Sequence, residues 1–331
     1  MLMTPGLAFF YGGMVRRKNM LSILMQCFIV LCALSLQWVL FGYSLSFAPG
    51  SGFWGGFGWA GLNGVGLEPY ADYSATIPHQ AFMIFQAMFA IITPALIIGA
   101  FAERMKFSAF LIFTLLWATF VYDPVCHWVW GIGGWLRSLG ALDFAGGTVV
   151  HINAGIAALV SALVIGRRKN LDHHAPAPHN LPFIVLGTGL LWFGWFGFNA
   201  GSALAANGLA VNAFVVTNTA AAAAGLSWAL IEWFRHGKPT MFGTASGAVA
   251  GLVAITPAAG YVSVIPAIII GILVSVICFI AVSVIKPKLG YDDSLDAFGV
   301  HCVGGIWGAL ATGLFASKSV NPAGADGLFF G

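Results

Sequence analysis

The feature that most constrains this chain is the run of residues 144–166, in which His151 is the only ionisable side chain. A helix of that length can cross the hydrocarbon core of a bilayer. Lipid offers an imidazole inside that core no hydrogen bond, so the side chain must find a polar partner or line a cavity. We therefore expect His151 to have a function within the membrane.

A second histidine has similar surroundings. His301 lies in the Gly-rich apolar sequence FGVHCVGGIWG, residues 298–308. Two paired imidazoles could share a hydrogen bond and pass a proton near neutral pH, or they could ligate a metal or haem from facing helices. Alternatively, each imidazole only satisfies a nearby backbone carbonyl. The sequence has no CxxCH motif and no second histidine pair within its spans, so it gives a haem no further support.

The composition is that of an integral membrane protein. Only 8% of the residues are charged and 59% are hydrophobic, whereas a soluble domain carries about 25% charged residues. The five cysteines form no CxxC motif, which argues against a disulfide framework or a zinc site. We find no nucleotide-binding loop, nucleophile–base triad or nucleic-acid patch. We therefore expect a protein of the lipid bilayer that is not an enzyme and has no metal, cofactor or nucleic-acid partner.

Hydrophobic runs predict an all-α polytopic protein with about ten spans. The first run is short, since about 14 residues rise roughly 21 Å against a core of roughly 30 Å. The chain also stops soon after the tenth run, so we expect both termini to be truncated. The predicted spans are about 1–14, 20–47, 78–101, 107–130, 144–166, 181–202, 208–234, 240–257, 261–285 and 297–316.

Basic residues predict the orientation. All Lys and Arg residues except Arg137 and Lys318 fall in loops at one end of the predicted bundle. Positive charge marks the cytoplasmic side of a membrane protein. We therefore expect a multi-pass protein of the cell inner or plasma membrane, with the basic loops in the cytoplasm and the long loop 48–77 outside.

The two histidines lie five spans apart, which makes their helices antiparallel. An acid precedes each of them, Asp143 before His151 and Asp296 before His301. This pattern favours a single transmembrane domain over 1–331, built from inverted halves at about 1–170 and 175–318. In transporters such a repeat places the substrate site between the halves, near the middle of the membrane.

Other polar residues have local explanations. Asp143 fits the N-cap of span five. Glu103 and Arg104 are expected to form weak surface ion pairs, and Asp123 could pair with His127 four residues later. Three loop histidines without an acidic or Cys partner are more often solvated than metal-bound; they are His173, His174 and His179.

The aromatic residues alone leave two interpretations open. Trp130 fits an interfacial belt or a cation–π platform. Phe89 and Phe198 fit core packing on their spacing, and the Ser202 hydroxyl could simply bond back to its own helix. Residue type therefore does not decide whether these side chains line a site.

Several longer motifs resemble one family. The chain is similar throughout, and in order, to the Amt branch of the Amt/Rh/methylammonium-permease ammonium transporters. The motifs are GLAFFYGGMVRRKN (6–19), GAFAERMKFSA (99–109), DFAGGTVVHINAG (143–155), PHNLP (178–182), GWFGFNAGS (194–202), ITPAAGY (255–261) and DAFGVH (296–301).

The resemblance implies an Amt-type fold: a homotrimer whose subunits each have a pore and eleven spans, the first ten in two inverted sets of five. The eleventh span and the cytoplasmic tail would be missing from this sequence. It also implies roles for individual residues. They are substrate recruitment by Trp130, Phe89 and Ser202, a pore gate of Phe89 and Phe198, twin pore histidines His151 and His301, a structural acid at the pore mouth, Asp143, and further pore positions Phe10, Trp195 and Thr256.

The function implied is ammonium transport. Ammonium would be recruited at an outer aromatic site, deprotonated, and conducted as ammonia, with or without separate transfer of the proton. An alternative is an ammonium sensor of the same fold, coupled to a missing C-terminal signalling domain. A membrane redox protein with haem on the two histidines is a third possibility. A PII-type nitrogen-signalling protein is a possible cytoplasmic partner.

Overall fold

Helices form almost all of the regular structure in residues 1–168 and 177–331, the residues that the computed structural model describes. Within those ranges no strand occurs, and isolated β-bridges join Gly50 to Gly55 and Pro69 to Pro78. The expected all-α class is confirmed.

Ten helices coincide with the ten predicted spans. Across the described ranges, eight helical segments are long and apolar enough to cross a membrane. Two others, α1 with 12 residues and α8 with 15 residues, are shorter. The number of spans therefore stays a prediction. The helices are α1 (Met3–Met14), α2 (20–47), α3 (His79–Phe101), α4 (107–130), α5 (Gly147–Ile165), α6 (Leu181–Ala200), α7 (Gly208–His236), α8 (Met241–Ile255), α9 (Val264–Leu289) and α10 (Phe298–Phe315).

Side chains in the preceding loops cap the N-termini of several helices. Asn180 accepts a hydrogen bond from the backbone of Phe183 and begins α6, and Asn207 and Thr240 cap α7 and α8 in the same way. Each cap satisfies an N–H group that the helix cannot pair internally. The starts of these three helices therefore follow from short polar signals in the sequence.

Small residues allow the central helices to approach closely. α5 packs against α3 and α10, and α8 packs against α7 and α10. A β-carbon on Gly155 of α5 would collide with the backbone and side chain of Cys302, and one on Gly308 of α10 would collide with the Ala254 carbonyl. Close packing of this kind is typical of helices in membranes.

Both intramembrane histidines lie in π-helical turns. α5 begins with the π-turn Gly147–Ile152 and α10 with the π-turn Phe298–Cys302. A π-turn inserts an extra residue into the helix and changes the direction of nearby side chains, and such turns are frequent at functional sites. Apolar periodicity does not predict them.

At the end of the bundle that carries most basic residues, ion pairs contain buried carboxylates, so the expectation that Glu103 and Arg104 form surface pairs is wrong. The Glu103 side chain is only 2% exposed and contacts Arg16 at 2.9 Å. It also accepts a hydrogen bond from Asn19 at 2.6 Å and lies 3.9 Å from Arg168. The turn between α3 and α4 encloses this carboxylate, which sequence periodicity could not reveal.

Arg104 extends the same network. Its guanidinium donates to the carbonyls of Ala100, Gly166 and Asp292 and lies 3.4 Å from the Asp292 carboxylate. Asp292 also forms a 2.8 Å ion pair with Arg168. These contacts join the ends of α1, α3 and α5 to the segment before α10.

Acid should weaken this network. Burial favours a higher pKa for Glu103, but hydrogen bonds from Arg16 and Asn19 outweigh it and hold the pKa below the ordinary value; the same balance, with Arg168, lowers the pKa of Asp292. A lowered carboxyl pKa contributes stability above the unfolded-state pKa of about 4, and that stability is lost as pH falls through the folded-state pKa.

We expect Glu103→Gln to lower the apparent melting temperature of the purified protein at pH 7 by about 5 °C or more, because the arginines around this buried side chain lose their anion. When the pH is lowered below about 4, the melting temperature of the variant should also fall less than that of the wild type, because the variant has no carboxylate at position 103 to protonate. Glu68→Gln, at an exposed position, is the matched control. Equal melting temperatures for the two variants would contradict the role assigned to Glu103.

Candidate functional site

The opposite end of the bundle contains a cavity of about 380 Å³, here called the mouth cavity. Side chains from several helices and loops line it, among them Phe85, Phe89, Trp130, Asp143, Phe144, Ser202 and Tyr261. The structure thus brings together the three residues for which the resemblance implies recruitment. The cavity combines aromatic faces with a few polar groups, an arrangement suited to a small cation.

Trp130 and Ser202 have fixed orientations in the mouth cavity. The Trp130 indole N–H donates to the Asp143 carbonyl at 2.8 Å, and its ring lies 5.6 Å from the Phe89 ring at 80°. The Ser202 hydroxyl donates to the Phe198 carbonyl at 2.9 Å. Its proton is used in that bond, but its oxygen still has lone pairs and can accept a hydrogen bond from a ligand.

Phe89 and Phe198 separate the mouth cavity from the histidines. Their ring centroids are 4.5 Å apart and the ring planes are tilted by 45°. The two side chains are 1% and 6% exposed, and the Phe198 ring lies 6.1 Å from the His151 ring. The pair, here called the phenylalanine gate, forms an apolar barrier in front of His151.

His151 and His301 form a buried pair. Their Nδ1 atoms are 3.3 Å apart, and the ring centroids are 5.3 Å apart with an interplanar angle of 11°. One Nδ1 must donate and the other accept, so the contact favours a pair that holds one shared proton. The His151 Nε2 has no partner among the described residues, which leaves it available to a small polar molecule.

Trp195 and Thr256 support the pair from one side. The Trp195 ring stacks on His151 with a centroid distance of 5.3 Å and an angle of 13°. Its indole N–H donates to the Thr256 hydroxyl at 2.8 Å, and that hydroxyl donates to the Leu252 carbonyl. Both residues therefore fix the plane of the His151 ring.

Beyond the histidines lies a small chamber of about 40 Å³. His301 and Phe10 line it, together with mostly apolar side chains that include Tyr11, Trp228, Val249 and Val300. The mouth cavity, the phenylalanine gate, the histidine pair and this chamber follow one another through the bundle. Phe10, Trp195 and Thr256 all lie beside this path.

Asp143 determines where α5 begins. Its two carboxylate oxygens accept hydrogen bonds from the backbone N–H groups of four residues, at 2.7–3.2 Å: Gly146, Gly147, Thr148 and Val149. Burial raises the pKa of this carboxyl above its ordinary value, and the four N–H groups act in the opposite direction. The carboxylate faces backbone donors and positions the π-turn that carries His151.

The acid matched to Asp143 is Asp293 and not Asp296, which corrects the sequence interpretation. Asp293 accepts a 2.7 Å hydrogen bond from the backbone of Phe298 at the start of α10, and it precedes its histidine by eight residues, as Asp143 does. Asp296 instead pairs with Lys286 at 2.5 Å. Burial and the nearby Asp296 carboxylate raise the pKa of Asp293 to about 6.

Other expectations for polar residues had mixed outcomes. Asp123 and His127 do not contact each other directly, and each binds other groups. His179 bonds to the Val15 carbonyl at 2.7 Å, whereas His173 and His174 lie outside the described residues.

Sequence reasoning missed several residues that line the cavities. Phe144 and Tyr261 could have been found, because they belong to the quoted motifs DFAGG and ITPAAGY. Arg137 also lines the mouth cavity and was noticed only as an exception to the charge bias. Nothing in the local sequence pointed to Trp228 of the inner chamber.

A model described as the Ammonium Transporter Family matches residues 1–331. The ammonium transporter of Bacillus subtilis (strain 168) is 62% identical over 330 residues, which cover 100% of this chain and 81% of that protein. The crystal structure of Candida albicans Mep2 has a TM-score of 0.92 at 42% identity and covers 98% of this chain and 72% of that chain.

A solved structure described as a sensor Amt protein is also similar, with a TM-score of 0.89 at 33% identity; the match covers 96% of this chain and 80% of that chain. The family model spans the whole sequence, and the relatives align with almost all of it. Taken with the paired intramembrane histidines and the aromatic cavity, these matches show that the protein belongs to the ammonium transporter family.

Proposed function

We propose that this membrane protein transports ammonium by admitting it at the mouth cavity as a cation and conducting it past the histidine pair as neutral ammonia. The observation that carries the proposal is the order of the parts. An aromatic cavity, an apolar gate and a buried imidazole pair follow one another within ring-contact distances. Ammonium is small enough for this path and can lose its charge.

The mouth cavity would recruit the cation. Trp130 and Phe89 offer aromatic faces, each worth roughly 0.5–2 kcal/mol to a cation. The Ser202 oxygen accepts a hydrogen bond that an alkali-metal ion cannot donate. Recruitment therefore combines charge attraction with hydrogen bonding. It does not offset the larger free-energy cost of moving the cation into the apolar interior.

The phenylalanine gate would select against ions that keep their charge. Moving a cation to the middle of a membrane is costly, and rings 4.5 Å apart offer it no polar ligand. Potassium and sodium cannot lose their charge. Ammonium can release a proton at the mouth cavity, and the remaining ammonia crosses an apolar barrier at much lower cost.

The histidine pair would bind ammonia by hydrogen bonds on the far side of the gate. The free His151 Nε2 can serve as donor or acceptor, depending on where the shared proton lies. The same pair offers a route by which the released proton could cross separately. Transport with such a relay moves charge, whereas conduction of ammonia alone does not.

The separation of the histidines does not favour a haem protein. The 3.3 Å contact between the two Nδ1 atoms is a hydrogen-bond distance, and both rings are buried with almost no exposed surface. A porphyrin between two axial imidazoles needs far more room. The packing of α5 against α10 provides none.

We propose the following arrangement in the membrane. The basic end faces the cytoplasm, in accordance with the positive-inside rule, and the mouth cavity faces outward. Residues of about 1–170 and 175–318 form inverted halves; the matching π-turns and the acids eight residues before each histidine support this. From the family resemblance we also infer a homotrimer and a PII-type protein as a cytoplasmic partner.

A sensor is the second candidate, favoured by the similarity to the structure described as a sensor Amt protein. A sensor would use the same recruitment site but signal its occupancy to another domain. Ammonium uptake and ammonium-evoked current, measured together in proteoliposomes that contain the full-length protein, would distinguish transport from signalling alone, because uptake is detected even when no charge moves.

Transport should depend on both imidazole side chains of the histidine pair. We expect His301→Ala to reduce ammonium-evoked current in proteoliposomes by about tenfold or more, because the variant lacks the imidazole that shares a proton with His151. His236→Ala, at an exposed position, is the control and should leave the current unchanged. Full current in His301→Ala would refute a role for the pair.

Recruitment should depend on the aromatic face and the hydroxyl together. We expect Trp130→Leu combined with Ser202→Ala to raise the half-saturating ammonium concentration by about fivefold or more. Trp233→Leu, which alters a tryptophan that is 58% exposed, is the matched control. A half-saturating concentration equal to the wild type's would rule out this recruitment site.

A further inference from the structure

His127 has hydrogen-bond acceptors at both ring nitrogens. The side chain is fully buried, its Nδ1 lies 3.0 Å from the Ser46 carbonyl, and its Nε2 lies 2.8 Å from the Ser51 carbonyl. A backbone carbonyl can only accept, and a neutral imidazole carries a single N–H group. A neutral His127 would therefore direct one lone pair at a carbonyl oxygen. The imidazolium satisfies both contacts.

Asp123, one helical turn earlier in α4, is a buried carboxyl group without a cation beside it in the described ranges. It is fully buried, and its oxygens accept hydrogen bonds from the Gln37 amide at 2.8 Å and from the Ser46 hydroxyl at 3.3 Å. Among the described residues no Lys, Arg or His nitrogen lies within 4 Å of it. A buried carboxyl group without a cation beside it either keeps its proton or has compensating charge nearby.

Ser46 contacts both groups. Its hydroxyl donates to Asp123, and its carbonyl accepts from His127. We propose that His127 is held as an imidazolium and forms, through Ser46, a buried charge pair with the Asp123 carboxylate. The two observations are independent, since one concerns the geometry of the ring nitrogens and the other a buried carboxyl group without a direct cationic partner.

Within the described part of the chain, the titratable groups around His127 and Asp123 offer no other cation and no free anion. Arg137 donates to the carbonyls of Trp130 and Asp72, and Asp143 is satisfied by backbone N–H groups. The remaining groups around the pair are phenols and a thiol that are neutral near pH 7: Tyr43, Tyr73, Tyr122 and Cys126.

The charge pair lies where it can position Trp130. It joins α4 to the end of α2 and to the loop at Ser51, and the His127 carbonyl accepts from Gly131 just after α4 ends. A β-carbon at Gly131 would collide with the His127 ring. Trp130 lies between these fixed points. His127 is therefore a positioning residue for the mouth cavity and does not contact it.

Nitrogen-15 NMR of histidine-labelled protein in bilayers at pH 8.5 tests the protonation state, with His127→Gln to assign the signals. We expect both His127 ring nitrogens to give protonated-type signals. His79 is an internal control, because among the described residues its ring makes one hydrogen bond, between Nε2 and the Tyr43 hydroxyl at 2.6 Å; it should show one protonated and one bare nitrogen. A bare nitrogen on His127 would overturn the proposal, whatever the transport assays give.

A double-mutant cycle tests the pairing. His127→Phe leaves Asp123 without compensating charge, and Asp123→Asn leaves His127 without it, so each should lower the melting temperature. The double variant should be no less stable than the His127→Phe variant, because neither charge remains. Melting-temperature losses that simply add would overturn the charge pair. The NMR measurement on the wild type decides the matter if a single variant does not fold.

The positioning role, which rests on the proposed function, predicts a specific kinetic change. Asp123→Asn should raise the half-saturating ammonium concentration by about threefold while leaving the maximal rate within about twofold of the wild type, since the pore itself is unchanged. An unchanged half-saturating concentration would overturn the positioning role. If the wild-type protein shows no ammonium transport, the proposed function is refuted, but the conclusion from the NMR measurement is unaffected.

Discussion

The contact between His151 and His301 is the interaction on which the rest of the site depends. It joins α5 and α10, which cross closely because Gly155 leaves room for Cys302. The π-turns begin both helices and direct the two rings toward each other. Asp143 fixes the start of one turn and Trp195 the plane of one ring. In this apolar interior each imidazole satisfies one ring nitrogen of the other, and the His151 Nε2 stays without a partner among the described residues.

The phenylalanine gate controls which molecules can reach the histidine pair. A histidine pair open to water would bind many ions and protons without preference. Behind two nearly unexposed aromatic rings, the pair is reached at low cost only by a molecule that has become neutral. In the proposed mechanism, selectivity arises from two parts with opposite character: a mouth cavity that favours a cation and an interior that excludes one.

Much of the fold could be predicted from hydrophobic runs, which placed the helices α1 to α10 within a few residues. The site residues quoted from motifs were also found close together. The π-turns were not predictable, because they depend on packing and not on periodicity. Asp293 was missed because spacing alone does not distinguish it from Asp296, and the burial of Glu103 was missed because it depends on a turn closed by distant helices. Polar residues in turns were the least predictable, since their partners lie far away in sequence.

The most direct test of the account compares ammonium with potassium, an ion of similar size that cannot lose a proton, in proteoliposomes containing the wild-type protein. Uptake and charge movement would be measured for both at equal concentration and membrane potential. The account predicts saturable ammonium transport and no potassium transport above that of protein-free vesicles. Potassium transport at a rate comparable with ammonium would contradict it, because the substrate would then cross without losing its charge.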